Sequence, residues 1–124
     1  MNEKILIIED EADIRVAMAD VMESANYTVM TAENGAIGLE IALKEKPNLI
    51  LLDLRMPEMD GHETLKRLRQ NPWGKDAKVV ILSAMDDVQN IGTAFEGQIS
   101  DYIIKAHNSV DEILNKVRES LYTN

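Results

Sequence analysis

The sequence contains no cysteine, only one tryptophan, one phenylalanine and three prolines. Without cysteine, the chain has neither a disulfide framework nor a thiolate metal site. Its apolar runs are short, far below the roughly 20 residues that a membrane-spanning helix requires. The opening segment MNEKILIIEDE is too short in its apolar part, and too acidic after it, for a signal peptide. These absences lead us to expect a cytoplasmic protein that does not bind membranes.

Length and charge narrow the class further. The 124 residues include 13 basic and 22 acidic side chains, for a net charge of -9. A chain of this length is the usual size of one domain, so we expect a single domain over residues 1–124. The excess of negative charge disfavours direct binding to nucleic acid, whose phosphates attract basic surfaces. It suits divalent cations and basic partner surfaces.

Five short apolar runs, rich in isoleucine, leucine and valine, predict β-strands. They are KILIIED from Lys4, YTVMTA from Tyr27, LILLDL from Leu49, KVVILSA from Lys78 and DYIIKA from Asp101. The run from Tyr27 is the weakest. The apolar residues are continuous rather than alternating, a pattern typical of strands that are covered on both faces of a parallel sheet.

Helical patterns lie between these runs. Four segments combine helical spacing of apolar residues with residues that favour helix ends: 12–25 and the segments that begin at Asn34, Asp60 and Ser109. In the second, we expect Ile37, Ile41 and Ala42 to lie on the core side. A fifth segment, 86–96, is the weakest candidate because Gly92 interrupts it. The alternation predicts an α/β fold, a five-stranded parallel sheet with helices on both faces.

Polar side chains follow four of the five predicted strands. Glu9 and Asp10 end the first strand, Asp53 the third, Ser83 the fourth and Lys105 the fifth. The carboxyl ends of parallel strands meet at one edge of an open α/β sheet, where ligands bind. We therefore expect three carboxylates, a hydroxyl and an ammonium group to converge at that edge.

These groups together suit phosphoryl transfer. Three carboxylates in one cleft repel each other, and a divalent cation that prefers oxygen ligands, such as Mg²⁺, offsets the repulsion. The cation, Lys105 and Ser83 would then interact with the oxygens of an incoming phosphoryl group, while Asp53 acts as the nucleophile and forms an aspartyl phosphate. Each residue alone also fits an ordinary role, as a helix-start acid, a turn serine or a solvated lysine. Their joint occurrence at the strand ends favours the site.

Four segments, ILIIEDE, LILLDLRMPEMDG, VVILSA and DYIIK, stand in the order and approximate spacing of a known family. Along essentially its whole length, the chain resembles the receiver domain of bacterial two-component response regulators. The resemblance implies a (βα)5 fold of the flavodoxin-like, CheY-like kind, with strand order 2-1-3-4-5. It also implies that Asp53 accepts phosphate from a histidine kinase or a histidine phosphotransfer protein, and that the chain is a signalling module rather than an enzyme.

The resemblance also implies a metal site. Glu9 and Asp10 match the acidic pair that binds Mg²⁺ in the family, together with Asp53 and the backbone carbonyl of Arg55. Mn²⁺ is an alternative cation for such a site.

A conformational switch is implied as well. Ser83 matches the switch Ser/Thr of the family, Tyr102 the switch aromatic and Lys105 the motif lysine. On phosphorylation, Ser83 would move inward and Tyr102 would pack into the vacated space. The face formed by residues 86–96, the fifth strand and the last helix would then change shape.

The output that we expect is protein binding by a stand-alone module, as a monomer or as a phosphorylation-dependent dimer. One alternative is a receiver domain excised from a larger transcriptional regulator or hybrid kinase. Another is a Mg²⁺-dependent phosphohydrolase, which needs a second carboxylate just after the nucleophile, where this chain has Arg55. A flavin-binding module is disfavoured because EDEAD is acidic where a phosphate-binding loop should offer neutral donors.

One position departs from the family pattern. The family usually has proline directly after the lysine, whereas this chain has Ala106. Because a cis peptide bond without proline costs roughly 3 kcal/mol, we expect the Lys105–Ala106 bond to be trans with a rearranged loop, or else to be a strained exception.

Overall fold

The structure of the chain is a computed structural model. The structure describes residues 3–54, 59, 61–83, 99, 101–104 and 109–122. The helix predicted at 86–96, the capping residue Asp60 and the Lys105–Ala106 peptide lie outside these residues. None of the helices in the described ranges has the length and apolarity needed to cross a membrane.

Five strands and four α-helices alternate along the described chain, with one short 3-10 helix. In order they are β1 Lys4–Ile8, α1 Ala12–Ser24, β2 Thr28–Ala32, α2 Gly35–Glu45, β3 Leu49–Asp53, α3 Gly61–Gln70, the 3-10 helix Gly74–Asp76, β4 Val79–Ser83, β5 Asp101–Ile104 and α4 Val110–Leu121. The strands form one parallel sheet with order β2-β1-β3-β4-β5. This confirms the predicted α/β fold and its strand order.

The core consists of two layers, one on each face of the sheet. Because successive strand residues point to opposite faces, each central strand contributes to both layers. Ile5 and Ile7 pack with Met18 and Met22 of α1 and with residues of α4, whereas the alternate strand residues pack under α2 and α3. All five residues of β3 are buried. The predicted burial on both faces is thus confirmed for the central strands.

The edge strand β2 is less buried than the central strands β1, β3 and β4. Within it Thr28 and Thr31 are exposed, and among its five residues only Ala32 is buried. It pairs with β1 along one side, so fewer neighbours cover it. This explains why its sequence signal is the weakest of the five.

Two helices begin at the caps that the sequence predicts. Asn34 Oδ1 accepts a 2.8 Å hydrogen bond from the Ile37 N–H at the start of α2. At the start of α4, Ser109 Oγ accepts from the Glu112 N–H and Glu112 Oε1 accepts from the Ser109 N–H, at 3.2 and 2.9 Å. The bond from the Ser109 backbone, reinforced by the Ser109 side chain, lowers the pKa of the Glu112 carboxyl.

Helix α2 lies closer to the sheet than its apolar pattern predicts. Ile37, expected on the core side, is 38% exposed, whereas Gly35, Gly38 and Ala42 are buried. A Cβ atom at position 38 would overlap Ile8 Cδ1 and lie 2.6 Å from Ile8 Cγ1. The prediction for Ile37 is therefore wrong, because glycine allows a closer approach on the neighbouring face of the helix.

The end of α4 is tied to the edge of the sheet where the strands begin. Lys78, just before β4, donates through Nζ to the carbonyls of Ser120 and Leu121, at 2.9 Å each. The Tyr122 hydroxyl donates to Glu3 Oε2 at 2.7 Å and lies 3.5 Å from the Tyr27 hydroxyl. The hydrogen bond with Tyr27 is the largest cause that raises the pKa of the Tyr122 hydroxyl, and the hydrogen bond with Glu3 is the next largest.

We expect Gly38→Ala to lower the free energy of unfolding, measured by urea denaturation, by up to about 2 kcal/mol, because overpacking typically costs about 1–3 kcal/mol and the gain in helix propensity returns about 1 kcal/mol. Ile8→Ala removes all three side-chain atoms that the added Cβ would meet, so the double variant should be more stable than the sum of the two single effects. Strict additivity would show that the Gly38–Ile8 contact does not limit the approach of α2.

Candidate functional site

Two adjacent central strands end in carboxylates. Ile8 pairs with Leu52, so Glu9, which directly follows β1, stands beside Asp53, the last residue of β3. Glu9 is fully buried and Asp53 is 2% exposed, while Asp10 is exposed. The predicted convergence of these three residues at the carboxyl edge of the sheet is what the structure shows.

Glu9, Asp10 and Asp53 form a compact cluster. One carboxylate oxygen from each residue lies within 4.8 Å of the oxygens of the other two. Negative charges at this separation repel strongly when two of the groups are removed from water. All the donor atoms of the cluster are oxygens, and the cluster reaches solvent at Asp10. Such a set suits a small divalent cation that keeps some of its water.

Backbone contacts hold Asp53 from its carboxyl side. The Leu54 N–H donates to the Leu82 carbonyl of β4 at 3.1 Å, and the Gly61 N–H donates to the Leu54 carbonyl at 3.0 Å. A Cβ atom at position 61 would lie 2.5 Å from the Asp53 carbonyl oxygen. The start of α3 therefore packs directly against the peptide that carries the candidate nucleophile.

A second set of contacts holds the segment Glu9–Glu11, here called the acidic loop. Glu9 Oε1 accepts a 3.2 Å hydrogen bond from the Glu11 N–H. Arg15 Nη1 donates to the Glu9 carbonyl at 2.8 Å and, at 3.4 Å, to the Asp10 carbonyl. Arg15 was not among the predicted site residues, because its spacing and residue type do not show that the side chain bends back onto the loop.

Two of the other predicted site residues, Ser83 and Tyr102, lie in described strands, and two do not. Ser83 is the last residue of β4 and pairs with Ile104 of β5, which brings its backbone to the same edge as Asp53. Tyr102 lies within β5 and is 40% exposed. Arg55 and Lys105 lie outside the described residues, so their predicted roles stay predictions.

The family model that describes the response regulator receiver domain matches residues 5–118 of this chain. The chain therefore belongs to the response regulator receiver domain family. Proteins of this family are signalling domains of two-component systems, and they interact with histidine kinases or phosphotransfer proteins.

The similar proteins fall into two groups by length. Sporulation initiation phosphotransferase F of Bacillus subtilis is 36% identical over 121 residues, which cover 98% of this chain and 95% of that protein. The probable transcriptional regulator ycf27 of Porphyridium aerugineum is 37% identical over 120 residues, or 97% of this chain and 48% of that protein. The chain thus spans about half the length of the transcriptional regulators that it matches.

Solved structures share the fold along nearly the whole chain. A putative response regulator from Chloroflexus aurantiacus has a TM-score of 0.88 and 27% identity, covering 99% of this chain and 100% of that one. The response regulator TrrA of Thermotoga maritima, solved in complex with Mg²⁺ and BeF, has a TM-score of 0.81 and 29% identity, covering 95% and 98%.

We expect Asp53→Asn to stabilise the protein in the absence of divalent cations. At an effective dielectric constant near 20, two unit charges 4.8 Å apart repel by about 3.5 kcal/mol, so an amide that removes one of the three clustered charges should raise the free energy of unfolding. Urea denaturation in the presence of a chelator would measure the free energy of unfolding. Asp20→Asn, an exposed change on α1, should stay within about 0.5 kcal/mol of the wild type. A clear loss of stability in Asp53→Asn would contradict the repulsion.

Proposed function

We propose that this chain is a phosphoacceptor receiver in which Asp53 takes a phosphoryl group from a histidine kinase or a histidine phosphotransfer protein. The observation that carries the proposal is the cluster of Glu9, Asp10 and Asp53, with Asp53 nearly buried at the end of the central strand. Family membership supports the same role for the chain.

The cluster fits Mg²⁺, with Mn²⁺ as an alternative. Carboxylates of Glu9, Asp10 and Asp53 and the backbone carbonyl of Arg55 would hold the ion. Hard oxygen ligands with room for water are what Mg²⁺ prefers. When bound, the ion would supply positive charge that offsets the charge of the carboxylates and of the phosphoryl oxygens.

In the transfer step, a carboxylate oxygen of Asp53 forms a bond to phosphorus as the bond between phosphorus and the donor histidine nitrogen breaks. The electron pair of the broken bond stays on the imidazole, which takes up a proton. Lys105 would pair with the phosphoryl oxygens, and the Ser83 hydroxyl would donate a hydrogen bond to them. Ser83 has the required place in the chain, at the end of the strand next to β3.

Phosphorylation would be transmitted to a partner through a shift between two conformations of the protein. Movement of Ser83 toward the phosphoryl group would vacate space that Tyr102 fills, so that the face containing β5 and α4 changes for its partner. The 40% exposure of Tyr102 fits the conformation from which such a movement starts.

The output belongs to one of two classes. Similarity to sporulation initiation phosphotransferase F, matched over 95% of that protein, favours a stand-alone cytoplasmic module that relays phosphate. Similarity to transcriptional regulators twice as long favours a receiver that controls an attached domain. The mass of the native protein, detected with an antibody in extracts of the source cells, separates the two, and size exclusion with and without phosphorylation reports monomer or dimer.

We expect the purified protein to gain the mass of one phosphoryl group when incubated with acetyl phosphate and Mg²⁺, measured by intact mass spectrometry. Asp53→Asn and the addition of a chelator should each abolish the gain, because the first removes the nucleophile and the second the cation. Asp20→Asn, which changes an exposed carboxylate of α1 in the same way, should leave it intact. An adduct that persists in Asp53→Asn would refute Asp53 as the acceptor.

We also expect Tyr102 to lose solvent exposure on phosphorylation. With 3-fluorotyrosine incorporated, ¹⁹F NMR resolves the three tyrosines, and the shift between H₂O and D₂O reports how exposed each ring is. Tyr102→Phe assigns the signal. Tyr122, 65% exposed, is the internal control and should not change. An unchanged Tyr102 signal in the phosphorylated protein would rule out its role in the switch.

A further inference from the structure

Arg15 is a basic side chain beside the acidic cluster to which the proposed chemistry gives no role. It lies in the first turn of α1 and is half-buried. Its guanidinium group turns back onto the acidic loop, since Nη1 donates to the carbonyl oxygens of Glu9 and Asp10. Hydrogen bonds from a charged donor are among the stronger ones in proteins.

The start of α1 lacks the usual means of fixing a helix entry. Its N-cap residue is Glu11, whose side chain makes no capping hydrogen bond. The N–H of Glu11 itself donates to Glu9 Oε1, one of the cluster's own carboxylate oxygens. The acidic loop therefore has no capping side chain of the usual kind, and Arg15 provides a charged donor to it from within the helix.

The two carbonyls that Arg15 contacts belong to consecutive residues. They lie on the peptide groups before and after the Cα atom of Asp10, so that holding both restricts the direction in which the Asp10 side chain leaves the backbone. Asp10 is exposed, and an exposed side chain and its backbone lose conformational entropy when they are ordered around an ion. A loop that is already ordered has less to lose when the ion binds.

We propose that Arg15 is a positioning residue for the cation site: it orders the acidic loop so that Glu9 and Asp10 present their carboxylates to a divalent cation. The inference deepens the proposed function and rests on it. Arg15 does not touch the ion or the phosphoryl group, and it acts through the backbone of the two ligands.

A positioning role and a purely electrostatic role of Arg15 predict opposite changes in Mg²⁺ affinity when the residue is replaced. A guanidinium group near the cluster repels a second cation, so by charge alone its removal would tighten Mg²⁺ binding, and added salt would screen the effect. If Arg15 positions the loop, its removal weakens Mg²⁺ binding, and the loss persists at high salt. The sign of the change therefore separates the two roles.

The test is a Mg²⁺ titration followed by the amide NMR signal of Glu11, whose N–H contacts a ligand carboxylate. Arg15→Gln should raise the Mg²⁺ dissociation constant about tenfold or more, the usual effect of losing a group that orients metal ligands. Arg15→Lys keeps the charge but not the planar fork, and should also weaken binding, by a smaller factor. Arg67→Gln removes the same charge from an exposed pair with Glu63 and should leave the constant unchanged.

The outcomes distinguish failure of the proposed function from failure of the role of Arg15. If the wild type shows no Mg²⁺-dependent shift, the proposed function fails first. If the wild type binds Mg²⁺ and both Arg15 variants bind it equally well or more tightly, only the role of Arg15 is overturned. A variant that loses thermal stability but, once folded, keeps the wild-type dissociation constant would also overturn it. Arg15→Lys keeps the test open if Arg15→Gln does not fold.

Discussion

Repulsion among three carboxylates at the end of the apolar central strands is the constraint on which the site depends. Glu9 and Asp53 are removed from water by the same strand packing that forms the core. Two buried carboxylates and a third beside them repel one another when ionised, and a bound cation would offset that repulsion. The packing that stabilises the fold therefore also creates a place that favours a divalent cation.

The carboxylates are held through their backbones by elements on two sides. β1 and β3 fix Glu9 and Asp53 from one side, while the starts of α1 and α3 fix them from the other. Catalytic and binding groups are placed most accurately when the supporting elements are rigid. The two helices that follow the acidic strands therefore act as part of the site, although they contribute no carboxylate to the cluster.

Much of the fold was predictable because the signals were local and mutually consistent. Continuous apolar runs identified the strands, and the caps at Asn34 and Ser109 identified two helix starts. The acidic cluster was predictable because parallel strands align their ends. The exposure of Ile37 and the contacts of Arg15 were not, since the first depends on how closely α2 approaches Ile8 and the second on where a flexible side chain bends back. Neither distance is encoded in periodicity or residue type.

Hydrogen bonds at the carboxyl end of α4 fix that end of the helix to the sheet. Lys78 and the Glu3–Tyr122 pair anchor the last turn to the edge of the sheet opposite the carboxylates. The first turn of α4, which follows Ser109, lies at the same edge of the sheet as Asp53 and packs on the core through Ile113. A displacement at the carboxylate edge would therefore act on the beginning of α4, while the hydrogen bonds at its other end hold that end in place.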